Sequence, residues 1–72
     1  MKYYVKSSEC GFMLNKEDGF IYDEVWDINN PRAAIFNNKK FAMGLCDFED
    51  ESVIDEKYNY LFSGNQQIKQ EV

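Results

Sequence analysis

The sequence contains no histidine, and this absence excludes several kinds of active site. Without an imidazole, neither Ser-His-Asp nor Cys-His catalysis is possible, and no zinc site with histidine ligands can form. The four glycines stand singly, at positions 11, 19, 44 and 64, so the chain has no glycine-rich phosphate loop. A chain of 72 residues also has a small core, which leaves little room for a deep pocket. We therefore expect neither an enzyme nor a bound cofactor.

Cysteines and long apolar runs are also scarce. Cys10 and Cys46 are the two cysteines, and they form no CxxC pattern, whereas a secreted domain of this size usually carries four or more. The opening MKYYVKSS is too short and too polar for the core of a signal peptide, and no stretch approaches 18 consecutive apolar residues. We expect a cytoplasmic protein with reduced thiols and no contact with a membrane. A single Cys10–Cys46 disulfide or half of a zinc site are the alternatives.

Basic residues are few, which restricts the partners. Thirteen acids against eight bases give a net charge of −5. A protein that binds nucleic acid directly needs a basic face to neutralise phosphates, and an anionic membrane surface makes the same demand. Here the bases are scattered, and only Arg32, Lys39 and Lys40 come close to a cluster. Direct binding to nucleic acid is therefore not expected.

Aromatic residues, by contrast, are abundant. Six Phe, five Tyr and one Trp occur in 72 residues, and each ring can bury about 150 to 250 Å². The length allows one small domain. Its core cannot enclose all of the Tyr and Trp rings, and these are the residue types that anchor protein interfaces. Two interpretations stand side by side: the rings cover a small core with their polar atoms in water, or they form an interface.

Alternation of apolar and polar residues predicts strands in the N-terminal half, over residues 2–8, 11–15 and 20–26, with a turn at Lys16–Gly19. A fourth strand or extended segment is predicted over Ala33–Phe36. In the C-terminal half, Asn37 or Asn38 would cap a helix reaching about Phe48. Its buried stripe would comprise Phe41, Leu45 and Phe48.

Residues 52–62 match both a helix and a strand, and the helix is narrowly favoured. The expected fold is therefore α+β, a small antiparallel sheet of three to four strands followed by one or two short helices. Residues 1–63 would form a single domain, and residues 64–72 a mobile polar tail.

The strongest local feature is the acidic run Asp47–Glu56, in which ten residues carry six acids and no base. A calcium loop of the EF-hand type fails, because Ser52 replaces the glycine and Tyr58 the last carboxylate. Three interpretations of the acidic run remain: a solvated loop, an acidic surface that fits a basic groove of another protein, and weak cation binding. A second acidic group flanks Trp26. The candidate partner-binding residues are thus Asp23, Glu24, Trp26, Asp27, Asp47, Glu49, Asp50, Glu51, Asp55 and Glu56.

The order of these signals resembles small phage and prophage proteins of unknown function. The resemblance covers residues 2 to about 45. It lies in the Tyr-Val-rich Lys2–Lys6, the Gly11–Leu14 segment, Trp26 near a turn, and the Ala-x-x-Phe step Ala33–Phe36 before Phe41. It implies a mobile-element origin and an accessory role, with no catalytic residues.

The resulting hypothesis is an accessory protein that binds and modulates a host protein. In its most specific version the partner is a nucleic-acid enzyme, and the acidic residues mimic its substrate. The alternative is a structural or self-associating module, such as a homodimer held by the exposed aromatic rings.

Overall fold

The computed structural model describes residues 1–64, which fold as a five-stranded antiparallel sheet. The elements are β1 Tyr3–Ser7, β2 Gly11–Lys16, β3 Gly19–Tyr22, α1 Lys39–Gly44, β4 Glu51–Asp55 and β5 Tyr60–Ser63. The strand order is β3-β2-β1-β4-β5. Strand β1 therefore lies at the centre, between its neighbour in sequence and the distant β4, with Val5 opposite Val53. Except for Gly64, the expected polar tail lies outside the described residues.

The expected α+β class is wrong, because the fold is mostly sheet. Residues 51–63 form the β4–β5 hairpin rather than a second helix, and residues 1–64 contain one short helix. Val53 and Ile54 are adjacent and both fully buried, one on each face of the sheet. A strand covered on both faces has consecutive apolar residues, a pattern that also fits a helix. Tyr58 has a φ of 69° in the turn between these strands, and a helix over residues 52–62 would need a negative φ there.

The one helix is shorter than predicted, and it buries a different side. It begins after Asn38, whose side chain accepts a hydrogen bond from the Phe41 N–H at 3.0 Å. The predicted stripe is wrong for Phe41 and Phe48, both of which are exposed. Ala42 instead packs into the core beside Val5 and Val53. A six-residue helix cannot carry a stripe that spans the eight residues 41–48, and Phe48 lies beyond its end.

One further predicted strand is too long, and one predicted segment takes the second of its two predicted forms. β3 ends at Tyr22 rather than at Trp26, and Glu24, with a φ of 53°, departs from extended backbone. Residues 33–36 form an extended segment with isolated bridges rather than a named strand, Ala33 with Leu14 and Phe36 with Tyr3. This segment contributes buried residues to both faces of the sheet.

The sheet buries apolar side chains on both faces. We call the side covered by α1 the helix face. Its buried residues are Val5, Met13, Ala34, Phe36, Ala42, Cys46 and Val53. The other side, here called the open face, buries Tyr4, Phe12, Ala33 and Ile54, with Ile28 packed against them. Ile28 and Ala33 cover part of this face, while Tyr60 of β5, opposite Ile54, is 59% exposed.

Both cysteines are free thiols, so the alternative of a Cys10–Cys46 disulfide does not hold. Cys46 lies on the helix face, where burial raises the pKa of its thiol to about 12. Since the thiolate is the reactive form, Cys46 is a small apolar side chain of the core at neutral pH.

Candidate functional site

Three carboxylates of the acidic run accept hydrogen bonds that stabilise the fold, and the first of them is Glu51. It is buried at the start of β4. Its Oε1 accepts hydrogen bonds from the backbone N–H groups of Asp47 and Phe48, at 2.9 and 3.0 Å. Its Oε2 accepts one at 2.5 Å from the hydroxyl of Tyr22, which reaches across the helix face from β3. Burial, reinforced by this carboxylate, raises the pKa of Tyr22 far above its usual range.

The second is Asp55, which is buried at the end of β4. It accepts hydrogen bonds from the backbone N–H of Lys57 at 2.9 Å, and from the backbone and side-chain amides of Asn59 at 3.0 and 3.1 Å. These bonds close the β4–β5 turn. Because the backbone N–H of Asn59 donates to the charged carboxylate, the pKa of Asp55 lies below its usual value.

Replacing Asp55 with asparagine tests this role through pH. A carboxyl whose folded-state pKa is lowered stabilises the fold above its unfolded pKa, near 3.8, and that contribution is lost as pH falls through the folded pKa. We expect Asp55→Asn to be less stable than the wild type at pH 7, with the difference shrinking below pH 3.8. Urea unfolding followed by circular dichroism across this range measures it. Asp18→Asn, at an exposed turn, is the matched control; a difference independent of pH would contradict the assignment.

Asp50 is the third carboxylate held inside the structure. Its Oδ2 accepts a hydrogen bond from the Ser7 hydroxyl at 2.7 Å. The same Ser7 oxygen accepts from the backbone N–H groups of Glu9 and Cys10, both at 3.1 Å. Asp50 therefore fixes the turn between β1 and β2 and is half-buried.

The remaining acids of the run do not share one surface. Asp47 and Glu49 are exposed before β4 begins, and Glu56 is exposed after it ends. At that far end, the Glu56 carboxylate accepts a hydrogen bond from the backbone N–H of Lys2 at 3.0 Å. Strand β4 thus separates Glu56 from the other two. Glu51 and Asp55, by contrast, are both buried.

The second acidic group stays on the surface, and the structure brings it to the same end of the sheet as Asp47 and Glu49. Asp23, Glu24, Trp26 and Asp27 are all exposed. The turn between β1 and β2 is tied to both groups: the Ser8 N–H donates to the Asp50 carbonyl at 2.9 Å, and the Phe12 N–H donates to the Val25 carbonyl at 2.7 Å. The two acidic groups therefore lie on either side of this turn.

An exposed cluster of rings extends over the open face, from Trp26 near this end to Tyr58 in the β4–β5 turn at the far end. We call Trp26, Tyr58, Tyr60 and the Lys6 between them the aromatic surface. The three rings are 47%, 44% and 59% exposed. The Lys6 Nζ lies 5.3 Å from the centroid of the Trp26 ring and donates a hydrogen bond to the Tyr60 hydroxyl at 3.4 Å. These contacts join one loop, the central strand and the last hairpin into a single surface.

One ring of the aromatic surface, Tyr58, rests on the core of the open face. Tyr58 contacts the fully buried Phe12 edge to face, with centroids 6.1 Å apart, and contacts Tyr60 in the same way at 6.3 Å. The sequence pointed to Trp26 as a site residue, but it placed neither Lys6 nor the two tyrosines beside it. Lys6 could have been found by alternation with Tyr4 on β1; the tyrosines could not, because their hairpin was interpreted as a helix.

Other exposed aromatic rings lie elsewhere. Phe20 and Phe41 flank Phe36 on the helix side, with centroids 5.4 and 5.8 Å from its ring. They share no ring contact with the aromatic surface, and Phe41 therefore supplies a matched control for substitutions there.

Cavities, metal-binding groups and membrane-spanning helices are all absent from residues 1–64. No cavity opens among them. Within the same range, no three Cys, Asp or Glu side chains gather in a way that could hold a metal ion. No helix of this part of the chain is long and apolar enough to cross a membrane.

No protein family, curated protein or solved structure matches this chain. Any functional conclusion must therefore start from the geometry of its own surface.

Proposed function

We propose that this chain is an accessory module that binds and modulates a partner protein through the aromatic surface. The observation that carries the proposal is the exposure of three large rings that are linked by successive contacts. Lys6 contacts both the Trp26 ring and the Tyr60 hydroxyl, and Tyr60 contacts Tyr58, which packs on the buried Phe12. Exposed rings fixed by a core lose little side-chain entropy when a partner covers them. Trp and Tyr in this situation are the usual energetic centres of protein interfaces.

Charge favours a basic partner. Glu24 and Asp27 flank Trp26 in the chain, and Asp47 and Glu49 lie across the β1–β2 turn from them. Among residues 1–64 the one ion pair joins Arg32 to Asp23 at 3.2 Å, so these four carboxylates have no basic partner within the described fold. Carboxylates around an apolar centre speed the approach of a basic surface and repel acidic competitors. The acids thus steer association, while the rings supply the contact.

The resemblance of residues 2 to about 45 to phage and prophage proteins supports a host protein as the partner. A nucleic-acid enzyme is the finer version of this proposal, since its binding groove is basic. In that version the phosphate mimics are the exposed acids at one end of the sheet, and Glu51, Asp55 and Glu56 take no part.

The aromatic surface is tested by joint replacement of Trp26 and Tyr60 with alanine. Capture of one stoichiometric partner from host-cell lysate should fall at least about thirtyfold, the effect of losing one interface anchor of about 2 kcal/mol. Mass spectrometry of the eluate identifies and quantifies the partner. Phe41→Ala, an exposed ring of the helix side, should leave capture unchanged. Equal capture by the double variant and the wild type would exclude this surface.

The role of the acids is tested separately by Glu24→Lys with Asp27→Lys. We expect slower association and weaker salt dependence, measured by surface plasmon resonance with the captured partner. Release of the partner by added DNA would support the nucleic-acid-enzyme version. If light scattering shows concentration-dependent dimers that the Trp26 and Tyr60 replacements dissolve, the alternative of a self-associating module is the better description.

A further inference from the structure

The Trp26 ring already holds a cation. The Lys6 Nζ lies over it at 5.3 Å, within the range in which the electrons of an aromatic face attract a positive charge. The same ammonium is hydrogen-bonded to the Tyr60 hydroxyl at 3.4 Å, a long bond. No carboxylate within residues 1–64 forms an ion pair with Lys6. The ammonium is therefore held by two weak contacts, the face of the Trp26 ring and the Tyr60 hydroxyl.

The surroundings of Trp26 fit a guanidinium better than an ammonium. The ring is nearly half exposed, and Glu24 and Asp27, both solvent-facing and free of ion pairs within the described fold, lie on either side of it in the chain. A guanidinium is planar, stacks on aromatic rings, binds carboxylates through two parallel hydrogen bonds and is less strongly hydrated than an ammonium. The ring face also attracts an ammonium, as it does that of Lys6, but this compact, strongly hydrated charge cannot stack on the ring as a plane.

We propose that Trp26 with its flanking carboxylates is a recognition site for an arginine side chain of the partner, and that this arginine displaces Lys6 from the ring. This inference rests on the proposed function, because it names the chemistry by which the aromatic surface recognises its partner. Lys6 keeps the ring oriented in the free protein and competes with the incoming guanidinium.

The test uses the full chain and its single tryptophan as a fluorescent reporter. Three glycine-spaced peptides of equal length carry three arginines, three lysines or three citrullines, the last being neutral and of the same shape as arginine. We expect a saturable change in tryptophan fluorescence with the arginine peptide, binding at least about threefold weaker with the lysine peptide, and no response to the citrulline peptide. Equal binding of the arginine and lysine peptides would overturn the inference, since it would show charge attraction alone.

Two variants make the result specific. Lys6→Met keeps an apolar stem beside the ring and removes the competing charge, so the arginine peptide should bind about two to five times more tightly, the range of an exposed cation–π contact. Glu24→Gln with Asp27→Asn should weaken it, whereas Glu17→Gln with Asp18→Asn, at the opposite end of the sheet, should not. Weaker binding by Lys6→Met would overturn the competition.

The two proposals fail in different ways. If the Trp26 and Tyr60 replacements abolish capture of the partner but no arginine peptide binds, the arginine inference is wrong and the docking surface stands. If the replacements leave capture unchanged, the docking surface itself is wrong, whatever the peptides do.

Discussion

Replacing Glu51 with alanine is expected to destabilise the protein by about 3 to 5 kcal/mol, because each hydrogen bond to a buried carboxylate contributes about 1.5 to 3 kcal/mol and partly solvated donors contribute less. Glu51 accepts three of them, from Asp47, Phe48 and Tyr22. A domain of this length has a total stability of about 4 to 11 kcal/mol, so the loss is a large part of the whole. Urea unfolding measured by circular dichroism gives the change in free energy.

Two comparisons distinguish the hydrogen bonds of Glu51 from a general effect of negative charge in the acidic run. Glu49→Ala removes an exposed carboxylate two residues away, and it should change stability by less than about 0.5 kcal/mol. Glu51→Gln keeps one oxygen for the two backbone donors and offers its amide to the Tyr22 hydroxyl, so its effect should lie between the two. If Glu49→Ala proves as damaging as Glu51→Ala, the acidic run acts through its collective charge rather than through the bonds of one carboxylate.

Glu51 also shows why the acidic run could not be interpreted from sequence alone. Six acids in ten residues without a base are typical of a solvated or partner-binding surface. Which carboxylates turn inward depends on where donors lie, and the donors to Glu51 include a tyrosine 29 residues away. Similarly, Asp50 receives its hydrogen bond from Ser7, 43 residues away. Pairings of this kind follow from the strand order, which the sequence pattern did not specify.

The first two strands and the turn that precedes β3 were predictable because their signals are local. Alternation in β1 and β2 and the Asp18-Gly19 turn before β3 act between neighbours in the chain. The C-terminal hairpin was not, because β4 pairs with β1 across more than forty residues and is buried on both faces. Since its identity as a strand derives from that distant partner, short-range propensity left it undecided. The tyrosines of the aromatic surface were hidden by the same ambiguity.

The candidate site was half predicted for a similar reason. Trp26 and its acidic neighbours are adjacent in sequence, and they are exposed together in the structure. Lys6 of β1 contacts Trp26 on one side and Tyr60 of β5 on the other, and it can do so because β5 is only two strands away from β1 in the sheet. The aromatic surface around Trp26 therefore depends on tertiary contacts between distant segments of the chain. The central position of β1, which no single segment encodes, brings the pieces together.

Replacing Gly11 with alanine is the second change expected to have a large effect. Gly11 has a φ of 88°, which side chains other than glycine rarely adopt, and an added Cβ would lie 2.3 Å from the carbonyl oxygen of Val25. That same oxygen accepts the hydrogen bond from the Phe12 N–H, which anchors residues 25–33 across the open face. We expect a loss of at least about 3 kcal/mol, since backbone strain alone costs about 1 to 3 kcal/mol and the anchoring bond is lost as well.

Gly44→Ala is the matched control, and it is expected to raise the stability rather than lower it. It lies at the end of α1, where an added Cβ meets nothing within 4 Å, and alanine in place of a helical glycine stabilises by about 0.5 to 1 kcal/mol. Thermal unfolding should show Gly11→Ala melting at least about 12 °C lower and Gly44→Ala a few degrees higher, at about 4 to 8 °C per kcal/mol for this size. A Gly11→Ala protein that melts with the wild type would show that Val25 can move away freely. The position of Trp26, one residue further along, would then not be fixed by the core, and the preorganised aromatic surface on which the proposed function depends would lose its support.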